Sequence, residues 1–271
     1  MSNISEFVRR LTPEDGELVI ERREPIVWVI FNRPQVRNAM TRAMTDRLVQ
    51  VCQDVNEDAA IRVLVLTGAG GAFVAGADIS RLRAIQTEQD VREHEQRGNR
   101  IWGTVESVRV PAIAAIAGPC TGGGATIAAC CDLRLASPSA RYGYPVARTL
   151  GNSLSARDYL RLVMLLGEAR VKDAVMTARL LDAQELLACG FVREVVATEE
   201  ALLPRAEELA LQVAANAPLT LQATKQAIRR LRDKLAPEGP DDSLLLTYLS
   251  NDFKEGIEAF LGKRKPNWTG T

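Results

Sequence analysis

The sequence holds a single histidine, His94. A zinc centre built on several histidines is therefore excluded, and no metal site is expected. A Ser-His-Asp hydrolase would depend entirely on that one ring. No sign of charge dominates, since 34 Lys and Arg face 34 Asp and Glu. That balance leaves no footprint for nucleic acid or an anionic membrane. No apolar run approaches the roughly 18 residues of a membrane helix. The opening stretch, MSNISEFVRRLTPEDGE, lacks the apolar core of a secretory signal. Five cysteines, at 52, 120, 130, 131 and 189, follow no metal or disulfide spacing. They predict buried, reduced thiols in a cytoplasmic protein. What remains is a 271-residue chain with 46% apolar and 25% charged residues. This is enough for one large globular domain, or a core with an appended helical part.

Hydrophobic periodicity divides the chain. ELVIER (17–22) and IVWVIFN (26–32) read as strands around Glu24-Pro25. Thr41 is placed to cap a helix reaching about Asn56, with Met44, Leu48, Val51, Cys52 and Val55 on one face. IRVLVLTG (61–68) and PAIAAIAG (111–118) are continuous apolar strands of the kind buried on both faces. A polar amphipathic helix is expected over 88–107, a buried helix over 122–131, and strands at 132–137 and 191–197. Segments 199–216, 218–234, 241–250 and 252–262 read as helices, with breaks at Pro218 and APEGP (236–240). Alternating strands and helices predict an α/β core with a mainly parallel sheet over residues 1–197. A helical region follows over 198–271.

Two glycine-rich loops each follow a buried strand and precede a helix: AGADI (75–79) and AGPCTGGGA (117–125). Such a turn offers unsatisfied N–H groups at the positive end of a helix. Two of them together can grip one oxyanion, such as the enolate of a thioester. One turn by itself is better explained by tight strand-to-helix packing. Neither loop is a phosphate-binding P-loop or a dinucleotide fingerprint.

These residues resemble a known family. NRPQVRNAM, LTGAGGAFVAGADI and PAIAAIAGPCTGGGATIAACCDLRLAS are similar to three signature blocks of the crotonase (enoyl-CoA hydratase/isomerase) superfamily. LLGEARVKDAVMTARLLDAQELLACGFVREVV, APLTLQATKQAI and NDFKEGIEAFLGKRKP continue the likeness, which spans about residues 17–268. The resemblance implies a spiral of ββα turns with a helical C-terminal trimerisation region. It implies an acyl-coenzyme A thioester substrate, with coenzyme A as part of the substrate and no permanent cofactor. It places the oxyanion hole at the backbone N–H groups of Ala77 and Gly123. Ala75, Asp78 and Ile79 belong to the same block and, with Ala77, are implied to bind the coenzyme A thioester. Arg37 and Ala39 match the segment that holds the nucleotide and pantetheine. Phe260 and Lys263 match the region that approaches the adenine and phosphates. A homotrimer or a dimer of trimers is implied.

The sequence departs from the family where hydratases carry two glutamates. The first position is Thr126. The second is Val146, or Ala147 if an apparent one-residue insertion is placed earlier. Neither a threonine nor a valine serves as a general base near neutral pH. Ser153 and Ser155 lie in the loop that crosses the family's active site, and Ser153 is a tentative catalytic candidate. A serine without a base is a poor nucleophile, and turn hydrogen bonding explains the pair as well. Asp158 reads either as a pocket acid or as a first-turn carboxylate facing a helix dipole. His94 is either a pocket base or part of a solvated, charged face. Three functions remain: an enoyl-CoA hydratase or isomerase, a malonyl-type acyl-CoA decarboxylase needing mainly the oxyanion hole, and a non-catalytic acyl-CoA binder.

Overall fold

A computed structural model of the protein describes residues 3–236 and 241–271. The chain opens with α1 (Ile4–Arg10), a helix the periodicity did not reveal. β1 (Leu18–Arg23) and β2 (Ile26–Phe31) form the expected antiparallel hairpin. α2 (Arg42–Glu57) starts at its cap, where Met44 N–H donates to Thr41 Oγ1 at 3.2 Å. β3 (Val63–Gly68), β4 (Val74–Ala75) and a 3-10 turn (Ile79–Ala84) lead to α3 (Glu88–Ser107), which occupies its expected span. Then come β5 (Ala112–Ile116), β6 (Pro119–Thr121), α4 (Gly123–Cys130), β7 (Leu133–Ala136) and β8 (Arg141–Gly143). α5 (Val146–Thr149), α6 (Ala156–Leu166), α7 (Glu168–Met176), β9 (Leu181–Asp182), α8 (Ala183–Ala188) and β10 (Glu194–Val195) follow. The C-terminal helices are α9 (Leu202–Ala214), α10 (Pro218–Asp233), α11 (Asp242–Tyr248) and α12 (Asn251–Leu261).

Two sheets result. The larger has the order β1-β2-β3-β5-β7-β10 and is parallel beyond the first hairpin. The smaller has the order β4-β6-β8-β9. Three times a long strand of the first sheet runs on into a short strand of the second: β3 to β4, β5 to β6, β7 to β8. This is the ββα spiral. The short strands escape sequence analysis because two or three residues are too few to show a period of two. The strand expected at 191–197 shrinks to Glu194–Val195, since Phe191 and Val192 N–H groups turn back onto Leu186 O. The helix expected from 199 begins as a 3-10 turn and becomes regular at Leu202. The break expected at APEGP lies, apart from Ala236, outside the described residues.

β2 is buried on both faces. Val27, Val29 and Phe31 face α2 and α4, while Ile26, Trp28 and Ile30 face α1 and α9. A third apolar cluster joins Ile85, Val91, Tyr248, Phe253 and Ile257 near the 3-10 turn. α10 differs from every other long helix in burying no side chain. Among the described residues, no helix is long and apolar enough to cross a membrane.

Candidate active site

β4 and β6 pair in parallel, with Ala75 opposite Thr121. Each strand ends in a glycine at positive φ, Gly76 at 109° and Gly122 at 54°. At Gly122 the ψ of −125° completes a conformation closed to side-chain-bearing residues. A Cβ there would touch Gly76 Cα at 3.5 Å, so the two turns lie against one another. The next residues, Ala77 and Gly123, stand at the same register. Among the described residues neither backbone N–H donates to any acceptor. Gly123 is the first residue of α4, where the helix offers no internal partner and a positive dipole end.

The VRNAM segment braces this arrangement. Ala75 N–H donates to Arg37 O at 2.9 Å, Met40 N–H to Gly76 O at 3.0 Å, and Asp78 N–H to Met40 O at 3.0 Å. Asn38 holds the segment down from within the core. Its amide donates to Ala69 O and Ala72 O at 2.9 and 2.7 Å, and its Oδ1 accepts from Arg33 N–H at 2.7 Å. Sequence analysis did not single out Asn38, although an asparagine inside a polar loop is a common backbone anchor. Two further residues roof the turn. A Cβ on Gly123 would stand 2.6 Å from Met40 Cε and 3.5 Å from the Trp102 ring of α3. A tryptophan on an otherwise polar helix was the signal for this second contact.

The other candidates divide. Arg37 is exposed and left-handed at φ 51°, with no ion pair among the described residues, and Ala39 O accepts from Arg33 Nη1 at 2.6 Å. Asp78 caps the 3-10 turn, its Oδ1 accepting from Ser80 N–H and Oγ at 3.1 and 2.7 Å. Ile79 packs on the third cluster. Phe260 and Lys263 are exposed at the end of α12 and make no hydrogen bond to the turns. α12 is nevertheless tied to the 3-10 turn by Arg83 and Glu258, 2.7 Å apart. Ser153 Oγ donates to Leu154 O at 3.1 Å and lies 3.4 Å from the Tyr159 hydroxyl. No imidazole or carboxylate is among its partners, so nothing there activates it as a nucleophile. Ser155 is the N-cap of α6, accepting from Asp158 N–H.

Both family acid positions are buried. Val146 packs in the main core and Ala147 points outward. Thr126 is 4% exposed, and its Oγ1 lies 3.1 Å from the Tyr144 hydroxyl and 3.4 Å from Gly122 O. Burial holds Tyr144 well above the ordinary phenol pKa, and the Thr126 hydrogen bond partly offsets this. The nearest acid along α4, Asp132, is engaged elsewhere. It accepts from Ala112 N–H at 2.7 Å and from Lys225 Nζ at 2.5 Å. Asp158 is likewise committed, to Arg161 at 2.5 Å and to Ser155 Oγ at 3.1 Å. Desolvation raises its pKa in spite of Arg161. His94 is exposed on one side, with its ring 5.5 Å from Tyr248. Desolvation by these neighbours, then Arg81 and Arg97, lower its pKa below the usual histidine value.

Residues 21–271 match the model of the enoyl-CoA hydratase/isomerase family. The chain belongs to that family. Among relatives of this enoyl-CoA hydratase/isomerase family protein is a crotonyl-CoA hydratase of Syntrophomonas wolfei. The two are 32% identical over 257 residues, covering 93% of this chain and 97% of the relative. A 2,3-dehydroadipyl-CoA hydratase of Escherichia coli is also 32% identical, covering 94% and 99%. A solved structure of a methylmalonyl-CoA decarboxylase, in complex with 2-nitronate-propionyl-CoA, superposes with a TM-score of 0.84. It is 26% identical and covers 94% of this chain and 99% of that one. The similarity runs along whole chains, so the ββα spiral and the paired glycine turns sit inside it.

Proposed function

We propose that this protein binds an acyl-coenzyme A thioester and stabilises its enolate between the N–H groups of Ala77 and Gly123. The reaction we assign is decarboxylation of a malonyl-type thioester. One observation carries the reading: two unengaged N–H groups stand on register-paired turns, and neither position 126 nor position 146 bears a carboxylate. Loss of CO2 leaves its electron pair on the α-carbon and generates the enolate directly. No base is needed to remove a carbon-bound proton. Negative charge then grows on the thioester oxygen, where each backbone donor contributes on the order of 3–4 kcal/mol. The likeness to a methylmalonyl-CoA decarboxylase supports this choice. Enoyl-CoA hydration is the second reading, favoured by relatives that carry that name. It requires a base for water, and the positions that would supply one hold a hydroxyl and an isopropyl group.

Arg37 and Lys263 are the exposed cations assigned to the nucleotide and phosphates, and Phe260 offers an aromatic face to the adenine. Homotrimeric assembly is part of the same reading. The apolar stripe of α10 and the turn after it, with Ile228 59%, Leu231 63% and Leu235 65% exposed, is the surface it would bury.

The test pairs three measurements on one preparation: CO2 release from malonyl- and methylmalonyl-CoA, loss of crotonyl-CoA at the enoyl thioester absorbance, and coenzyme A affinity by calorimetry. CO2 release with slow hydration supports the assignment. Fast hydration without CO2 release replaces it with the second reading. Tight coenzyme A binding with neither reaction leaves a non-catalytic binder.

A further inference from the structure

An enolate must take a proton at its α-carbon before product can leave. Something in the site has to supply that proton, and no acid stands at 126 or 146. Two hydroxyls do stand together, those of Thr126 and Tyr144, 3.1 Å apart, on residues 4% and 2% exposed. Thr126 leans back along α4, its Oγ1 3.4 Å from the carbonyl of the peptide whose N–H belongs to Gly123. The threonine oxygen is one bond from Cβ. The phenol oxygen lies a further 3.1 Å from it, so a phenol stands against the position where the family's hydratases carry a glutamate. Tyr142 fixes the phenol ring, standing edge-on with centroids 6.1 Å apart and planes at 90°. The Tyr142 hydroxyl is itself engaged, donating to Ala125 O at 3.2 Å.

We propose that Tyr144 is the proton donor to the α-carbon of the enolate, with Thr126 as the residue that positions it. This rests on the enolate-forming reading above. The bond from the α-carbon to the carboxylate breaks, its electron pair becomes the enolate, and CO2 departs. The Tyr144 O–H bond then breaks and a C–H bond forms at the α-carbon. The phenolate left behind accepts a hydrogen bond from Thr126 and regains a proton from water as product leaves. One solvent proton is consumed for each CO2 released, as the overall stoichiometry demands. A phenol is a far stronger acid than the α-carbon of a thioester, so the transfer is downhill. A neutral phenol cannot take a proton from water. The pair therefore serves enolate protonation and supplies no base to activate the water that hydration needs.

The test follows deuterium. Methylmalonyl-CoA is decarboxylated in D2O by the wild type, Tyr144→Phe and Thr126→Val, and the configuration at C2 of the propionyl-CoA formed is determined. In parallel, C2 exchange into butyryl-CoA is followed by NMR, and coenzyme A affinity is measured on each protein. We expect one configuration from the wild type and a mixture from Tyr144→Phe. We also expect butyryl-CoA exchange, in which the phenolate form of Tyr144 removes the C2 proton by the reverse of the donation step, to rise with pH in the wild type and to be at least tenfold slower in Tyr144→Phe, with coenzyme A binding retained. Thr126→Val should give intermediate values. A single configuration from Tyr144→Phe overturns the assignment and leaves decarboxylation standing. If the wild type binds coenzyme A but releases no CO2, decarboxylation fails, and the butyryl-CoA exchange decides for Tyr144. Exchange lost in Tyr144→Phe then supports the donor, while exchange equal in both proteins, or absent from both, overturns it.

Discussion

At the scale of single residues, glycines and one histidine carry the sharpest expectations. Gly122 occupies a backbone conformation that alanine cannot adopt without strain, and its turn aims the Gly123 N–H. Gly122→Ala should lower acyl-CoA turnover about 100-fold, the order seen when one oxyanion donor is lost. The steady-state rate checks this, alongside circular dichroism showing a retained fold. His94 has a folded-state pKa below its ordinary 6.5. Between the two values the unfolded chain binds more protons, so this group lowers stability as the pH falls from above 6.5. His94→Gln lacks that contribution. Its melting temperature should drop less than the wild type's between pH 7.5 and pH 5.5, and equal drops would refute the assignment. The solvated-face reading of His94 was half of the answer: the ring is exposed on one side yet packed against Tyr248. That contact comes from α11, more than 150 positions away, and no local pattern encodes it.

At the scale of elements, α4 and α10 represent opposite extremes. α4 runs so close to β4 that a Cβ on Gly124 would lie 2.2 Å from Val74 O and 2.5 Å from Val74 Cβ. Backbone cannot yield there as a flexible side chain would. Gly124→Ala should therefore destabilise the fold by about 2 kcal/mol or more, read from the urea midpoint. The GGG triplet was visible in the sequence, but which glycine serves which purpose was not. Gly122 sets a conformation, Gly123 lies under Met40 and Trp102, and Gly124 admits the neighbouring strand. α10 is legible from its periodicity over 218–234, yet none of its residues is fully buried within the chain. Leu231→Asp on its apolar stripe should reduce the mass measured by light scattering from that of a trimer towards that of a monomer. An unchanged mass would place the subunit contact elsewhere.

At the scale of the whole molecule, a buried ion-pair network joins segments far apart in the chain. Glu106 of α3 pairs with Arg161 of α6 at 2.5 Å and with Arg232 of α10 at 2.8 Å. Arg161 also holds Asp158. Side-chain exposures of 8% for Glu106 and 3% for Arg161 leave little water to screen the charges. Removing Glu106 takes a partner from both arginines and leaves Arg161 with Asp158 alone. Glu106→Leu should therefore cost about 3 kcal/mol, measured by denaturant unfolding. Replacing Glu106 and Arg161 together by apolar residues should cost less than the sum of the two single changes. This network also explains why Asp158, a candidate pocket acid in the sequence, is tied up in structure.

The sequence by itself determined the α/β class, the long buried strands, the spans of α2 and α3, and the two glycine turns. These depend on local periodicity and on residues with special backbone freedom, both of which are written in short stretches. It also showed that the family's acid positions are empty of acids. Tertiary structure alone decided the second sheet, whose two- and three-residue strands exist only through their pairing with one another. It alone decided that Gly76 and Gly122 meet, that Asn38 anchors the loop beside them, and that Tyr144 brings its hydroxyl to Thr126. Each of these joins residues separated by many positions, and a contact of that kind is fixed by how the elements pack, not by the pattern within any one of them.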